Sequence, residues 1–283
     1  MKFAIFTCMT TEWGPEEAIE KISAHGWDGI EWAVKMDDDP AGYSLKWSRA
    51  LKDAASIADK TRKAGLEVPE VNFSGLSPST KPGLVKKAID VALAMGAPQA
   101  RFGMPAYAWS AAQASKSNYK KIYRKTVKKL GEAVKIASKQ KLKLMIECHH
   151  GTITCSAALA LRVAENFSPK KVGVIHDPGN QVIEGFENWK MEMELLGKYL
   201  GHVHLKNARR DVISPVGRPF PGIRRDWGHV WAPLTIGLVD WPFVFKALNQ
   251  VGYNKWIGME DFSDQPTEDK LKQITMLREW AAA

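Results

Sequence analysis

Lys141–Ser156 reads KLKLMIECHHGTITCS, and the order of residue types in it decides the fold. Leu142–Cys148 is a short apolar run that ends beside a carboxylate, Glu147, and Ser156–Asn166 then continues as an amphipathic stretch. A strand, a polar connection and a helix within about thirty residues is the repeating unit of a parallel sheet. The same unit recurs upstream as Phe3–Cys8 with Pro15–His25, Gly29–Val34 with Ser48–Ala64, Glu67–Phe73 with Pro82–Met95, and Gln99–Met104 with Asn118–Lys139. Downstream, Val172–His176 precedes a helix near Trp189–Leu200, and Trp256–Glu260 precedes Glu268–Ala281. His202–Lys206 is joined to Trp241–Val251 through a long insertion.

Eight alternations in 283 residues predict an α/β chain folded as a (β/α)8 barrel, a single domain over 1–283. Long loops are expected after strands two and seven, in Asp37–Ser48 and Asn207–Leu234. A doubly wound open sheet is the competing arrangement. It calls for a Gly-rich phosphate loop after the first strand, and MTTEWGPEE (Met9–Glu17) is not one.

Hydrophobic residues make up 45% and charged residues 25% of the chain, enough to fill one core. No run is long enough to span a bilayer, and the apolar start is too short for a signal segment, so neither membrane partner nor export is expected. Cys8, Cys148 and Cys155 are odd in number and contain no CxxC pair, which argues against a disulfide framework and for a reducing, cytoplasmic setting. The excess of 40 basic over 31 acidic residues is concentrated in Lys116–Lys143 and Arg209–Arg225. In the first segment Ile122, Val127, Leu130, Val134 and Ile136 recur at roughly helical spacing, so the lysines there belong to a solvated helix face and not to a nucleic-acid surface.

Barrel chemistry is built at the C-terminal ends of the strands. Those positions hold Glu31, Glu147 with His149, Asp177, His204 with Lys206, and Glu260 with Asp261. A buried strand end is a costly place for an unpaired carboxylate. Glu147, Asp177, His204 and Glu260 stand at four consecutive strand ends, so one divalent cation shared among them is the economical reading. Their mixed oxygen and imidazole donors suit Mn²⁺ (favoured), Mg²⁺, Co²⁺ or Zn²⁺. Each residue also has a plainer role open to it: Asp177 precedes Pro178 and Gly179, as turn-forming residues do. Strand alternation puts His149 on the face of Glu147 and turns His150 away, and it puts Lys206 on the face of His204. His149 and Lys206 are therefore expected to face substrate. Trp13, Trp32, Tyr107, Trp109, Trp227 and Trp231 follow strands and supply aromatic faces for a sugar, and Arg209 and its neighbouring arginines supply cations for a substrate anion.

The segments LMIECHHGTITCS (Leu144–Ser156), VGVIHDPGN (Val172–Asn180), GHVHLKNAR (Gly201–Arg209), GLVDWPFVFKALNQVGY (Gly237–Tyr253), WIGMED (Trp256–Asp261) and DGIEW (Asp28–Trp32) resemble the xylose-isomerase-like TIM-barrel superfamily, in particular its sugar phosphate isomerases and epimerases. The resemblance runs nearly the whole chain in order. It implies one divalent metal held by Glu147, Asp177, His204 and Glu260. It further implies that Glu147 and Glu260 act as acid and base on opposite faces of a keto sugar or sugar phosphate, through an enediolate. Two positions depart from the epimerase branch: Asn180 stands where many members carry histidine, and Ile153 stands near where they carry a second glutamate. The expected activity is thus isomerisation or epimerisation of a small sugar. Elimination by a lyase or dehydratase is the alternative, and a non-catalytic sugar binder or an abasic-site endonuclease lies further off. Self-association into a homo-oligomer is left open by the family's habits.

Overall fold

Apolar residues occupy both faces of most strands, and this is what sends them into a covered parallel barrel instead of a half-exposed sheet. The computed structural model describes residues 1–36, 45–107, 115–184, 187–212 and 227–283. In chain order the strands are β1 (Lys2–Phe6), β2 (Gly29–Lys35), the two-residue β3 (Leu45–Lys46), β4 (Val71–Ser74), β5 (Gln99–Arg101), β6 (Lys143–Glu147), β7 (Val172–His176), β8 (Leu200–Leu205), β9 (Asn207–Val212), β10 (Trp227–Ala232) and β11 (Trp256–Met259). Eight of them pair in parallel in the order β1-β2-β4-β5-β6-β7-β8-β11, and β1 also pairs with β11, which closes the barrel. The predicted (β/α)8 fold is the observed one. β3 adds to the rim of β2, while β9 and β10 form a separate antiparallel ribbon directly after β8.

The surrounding helices are α1 (Pro15–Ala24), α2 (Trp47–Lys63), α3 (Pro82–Ala94), α4 (Tyr119–Lys139), α5 (Ala157–Ala164), α6 (Pro178–Glu184), α7 (Trp189–Leu196), α8 (Trp241–Gln250), α9 (Thr267–Leu271) and α10 (Ile274–Ala282). α4 turns Thr126, Leu130, Ala133, Val134 and Ala137 to the core and leaves Lys120, Lys121, Lys125 and Lys128 in solvent, as its periodicity predicts. α2 and α3 each stop at a glycine with positive φ, Gly65 and Gly96, a conformation that side chains with a Cβ resist. No helix among the described residues is long and apolar enough to cross a membrane.

Three departures from expectation have a local reason. The third barrel strand begins at Val71 and not Glu67, since Pro69 cannot donate to a ladder and only an isolated bridge joins Glu67 to Gly29. The fourth stops at Arg101, because Gly103 turns its N–H to Leu76 O and Pro105 follows. A short helix, α6, starts immediately after Asp177, in a region with no helix predicted before Trp189.

Candidate metal centre

Four strand ends deliver the cluster. Glu147 is the last residue of β6, Asp177 follows β7, His204 is the penultimate residue of β8, and Glu260 follows β11. All four are buried, and one donor atom from each lies within 4.8 Å of every other. His204 Nδ1 stands 3.3 Å from Glu147 Oε1, 3.5 Å from Glu260 Oε2 and 3.9 Å from Asp177 Oδ2.

The scaffold aims each group. In the β7–β8 pairing Val174 faces Leu200 and Ile175 faces His202, so Gly201 is left over as an irregularity that sets the phase of β8. His202 and His204 then follow on one face and both reach Glu31 of β2, at 2.9 and 3.0 Å through their Nε2 atoms. Asn72 of β4 donates a further hydrogen bond to the same carboxylate. Burial disfavours charge on Glu31, but His204 and His202 outweigh it and hold the carboxyl down at about 2. An ionised Glu31 can only accept, so His204 donates from Nε2 and presents Nδ1 to the cluster. Phe6 stacks on the ring at 5.4 Å and fixes its plane.

Asp177 divides its oxygens. Oδ1 accepts the backbone N–H of Asn180 at 2.9 Å, capping α6, which leaves Oδ2 for the cluster. The turn-forming role open to Asp177 and its place in the cluster are thus filled together. Asn180 also donates from Nδ2 to Asp177 Oδ2 at 2.6 Å and to Glu147 Oε1 at 3.1 Å. Two glycines make room. A Cβ on Gly258 would collide with Glu31 and lie 3.0 Å from His202 Nε2; one on Gly179 would collide with the Lys206 stem and lie 2.6 Å from its carbonyl oxygen.

Electrostatics set the protonation of the cluster. Burial, with Glu147 and Glu260 adding to it against Lys206, pushes Asp177 up to about 8. Burial also opposes ionisation of Glu147 and Glu260. Arg101, 2.5 Å from Glu147 Oε2, and Lys206, 2.5 Å from Glu260 Oε2, nevertheless hold both below the usual carboxylate range. Lys206 reaches Asp177 Oδ2 as well, at 2.9 Å. Burial resists charge on His204, but Glu31 and the cluster carboxylates draw its pKa well above the histidine range. Three buried carboxylates thus crowd around one imidazole nitrogen, and Asp177 alone is pushed toward its protonated form. A dication is the charge that relieves this crowding, and three oxygens with one nitrogen are a donor set that suits it.

Of the residues expected to face substrate, Lys206 is in the cluster, buried, with its ammonium 5.3 Å from the Trp231 ring and 5.5 Å from Phe262. His149 lies beside it, its Nδ1 donating to His150 O at 2.8 Å, and burial lowers its pKa. Arg209 is not gathered in: it is exposed on β9, 3.4 Å from Asp211. Trp109, Arg218, Arg224 and Arg225 fall outside the described residues. Trp32 is buried within β2 and forms part of the core.

His150, which strict alternation turns away, comes into the site. β6 ends at Glu147, and a turn in which Thr154 Oγ1 donates to Glu147 O and His149 N–H to Thr154 O re-aims the chain. His150 Nδ1 then stands 2.6 Å from Asn180 Oδ1. Sequence reasoning also passed over Arg101 and His229. Arg101 pairs in register with Met145, two residues before Glu147, so a cation at the end of a short strand was the available signal. His229 arrives on the β9–β10 ribbon, whose pairing no local pattern announces.

Comparison with known proteins agrees with this architecture. An inosose dehydratase of Geobacillus thermodenitrificans is 28% identical over 152 residues, 51% of this chain and 50% of that protein. The chain thus matches about half the length of this relative. The crystal structure of 3-keto-D-glucoside 4-epimerase, YcjR, from E. coli superposes with a TM-score of 0.73 at 14% identity, covering 99% of both chains. A xylose isomerase-like TIM barrel protein from Mycobacterium smegmatis, crystallised with magnesium, superposes with a TM-score of 0.66 at 15% identity, covering 94% of this chain and 88% of that one. At these identities the superpositions speak for the fold. The sequence model of one family matches residues 19–280, nearly the whole chain. The protein belongs to the xylose isomerase-like TIM barrel family.

Proposed function

We propose that the protein is a divalent-metal-dependent enzyme that moves a proton at the carbon beside the carbonyl of a keto sugar or sugar phosphate, isomerising or epimerising it through an enediolate. The observation that carries this reading is the placement of Glu147 and Glu260. They stand at the ends of β6 and β11, strands separated in the barrel by β7 and β8, yet both carboxylates enter the same cluster. A substrate seated over it has one carboxylate on either side, the arrangement needed to remove a proton from one face and return one to the other.

Glu147, Asp177, His204 and Glu260 would hold the cation, which supplies a Lewis acid for the carbonyl oxygen and so makes the neighbouring carbon acidic enough for a carboxylate base. The protein's own groups do the rest. Arg101 keeps Glu147 in its proton-accepting form, and Lys206 does the same for Glu260. Glu31 keeps His204 presenting Nδ1. The ring of Trp231 and that of Phe262, 5.7 Å apart, offer apolar faces to a sugar.

Dehydration is the second reading, favoured by the likeness to the inosose dehydratase and by Lys206, a buried proton donor beside Glu260. A carboxylate takes the proton next to the ketone, and the hydroxyl one carbon further leaves as water with a proton from the donor. Both readings share the first step. Mn²⁺-loaded protein incubated in D₂O with keto sugars, their phosphates and inosose, followed by ¹H NMR, separates them. Deuterium at the carbon beside the carbonyl together with a new isomer supports the first reading; an unsaturated product supports the second. Measured binding with no exchange in any compound overturns both.

A further inference from the structure

Two carboxylates of the cluster have their oxygens already committed. Asp177 Oδ1 caps α6, while Oδ2 accepts from Asn180 Nδ2 at 2.6 Å and from Lys206 Nζ at 2.9 Å, which fills both of its lone pairs. Glu260 Oε1 accepts from the Cys8 thiol at 3.6 Å, and Oε2 from Lys206 Nζ at 2.5 Å. Yet Oδ2 and Oε2 are the atoms that face His204 Nδ1, at 3.9 and 3.5 Å. A cation seated beside that nitrogen draws on the two oxygens that Lys206 holds.

A lysine among metal-binding side chains places a like charge beside the ion. Its ammonium has three hydrogens and no lone pair, so it cannot act as a ligand and repels a dication at this range. The side chain has no route out. It is buried, and its stem lies so close to Gly179 that a Cβ there would collide with it. The end of the chain has an alternative seat. The rings of Trp231 and Phe262 lie 5.3 and 5.5 Å from Nζ, within the range at which an aromatic face holds a cation. A shift of the terminal atoms toward those rings frees Oδ2 and Oε2 while the charge keeps a partner.

We infer that Lys206 is a built-in competitor for the divalent cation: its ammonium and the ion take Asp177 Oδ2 and Glu260 Oε2 in turn, which lowers metal affinity and keeps the ion exchangeable. The inference rests on the metal centre above and holds whichever sugar chemistry that centre serves. With no ion bound, the ammonium ties Asp177 to Glu260 and so links the ends of β7 and β11. Once an ion binds, the same charge opposes it.

The test reads metal binding and not turnover. Isothermal titration of metal-stripped protein with Mn²⁺ should show Lys206→Met binding about tenfold more tightly than the wild type, or more, because a repelling charge has gone. A lysine that only held the carboxylates in place would leave a weaker site on removal. Equal or weaker binding in the variant therefore overturns the inference and leaves the metal centre standing. No Mn²⁺ bound by either protein removes the centre and the inference together. Thermal unfolding supplies a second arm: metal-free Lys206→Met should melt below the metal-free wild type and gain more from saturating Mn²⁺. An equal gain in the two proteins overturns the inference. Should Lys206→Met fail to fold, the wild type answers alone. In ¹⁵N-lysine-labelled protein the buried Lys206 ammonium, assigned by its loss in Lys206→Arg, should shift when diamagnetic Zn²⁺ saturates the site. A signal unmoved by bound Zn²⁺ overturns the inference.

Discussion

Glu31 receives the Nε2 of His204 at 3.0 Å, on the opposite edge of the ring from the nitrogen that faces Glu147, Asp177 and Glu260. A carboxylate behind an imidazole fixes both its rotation and its tautomer, and it makes the forward nitrogen a better donor. Glu31 is itself held by His202 and Asn72, so three strands other than those that carry Glu147, Asp177 and Glu260 contribute to one nitrogen's aim.

Glu31→Gln should therefore weaken binding of Mn²⁺ by roughly 10–100-fold while every direct donor remains. Isothermal titration of the variant against the wild type is the measurement. Equal affinities would show that His204 is aimed by packing on Phe6 alone.

Replacing either carboxylate of the proposed acid/base pair should be more severe for turnover than for the fold. Glu147→Gln and Glu260→Gln keep shape and remove the proton acceptor, and each is expected to lower kcat by about 10²–10⁴-fold. Exchange of the substrate proton with D₂O reports this directly. A variant that still exchanges at the wild-type rate removes its residue from the pair.

Exhaustive chelation should abolish activity, and added Mn²⁺ should restore it. Full activity in protein shown by elemental analysis to contain no divalent metal would overturn the proposed chemistry while leaving the fold untouched.

The repeat of strand and helix was legible because each strand is apolar and each outer helix carries a one-sided stripe, two signals that survive without tertiary knowledge. The four clustered residues were legible for a related reason: a carboxylate or histidine at a buried strand end has no ordinary place there. What was not legible depended on distance in sequence or on departures from regular geometry. Strict alternation misplaced His150 because β6 ends three residues earlier, at Glu147. Asn180 was visible only as a departure from relatives, and its bonds to Glu147, Asp177 and His150 come from a helix that Asp177 itself caps. An Asp before Pro is a helix-start signal, and in retrospect DPGN carried it.

His150 also gives the protein a defined acid sensitivity. Its pKa is held at about 3 in the fold, whereas a histidine in an unfolded chain titrates near 6.5. Between these values the unfolded chain binds the proton and the folded one does not, so stability is full above about pH 6.5 and is lost as pH falls toward 3. His150→Gln should lose less stability than the wild type between about pH 7 and pH 5, read by urea unfolding at each pH. Parallel losses in the two proteins would mean that the ring is already protonated in the fold.

Gly258 and Gly179 extend these consequences to positions with no functional group at all. Each is a blank into which another residue leans: Glu31 beneath His204 in one case, the stem of Lys206 in the other. If the proposed activity is right, a random search for inactivating substitutions should therefore return these two glycines alongside the carboxylates, with all four clustered side chains still in place. In this barrel, reach is granted by omission, and the residues that shape the cluster include two places where nothing can be added.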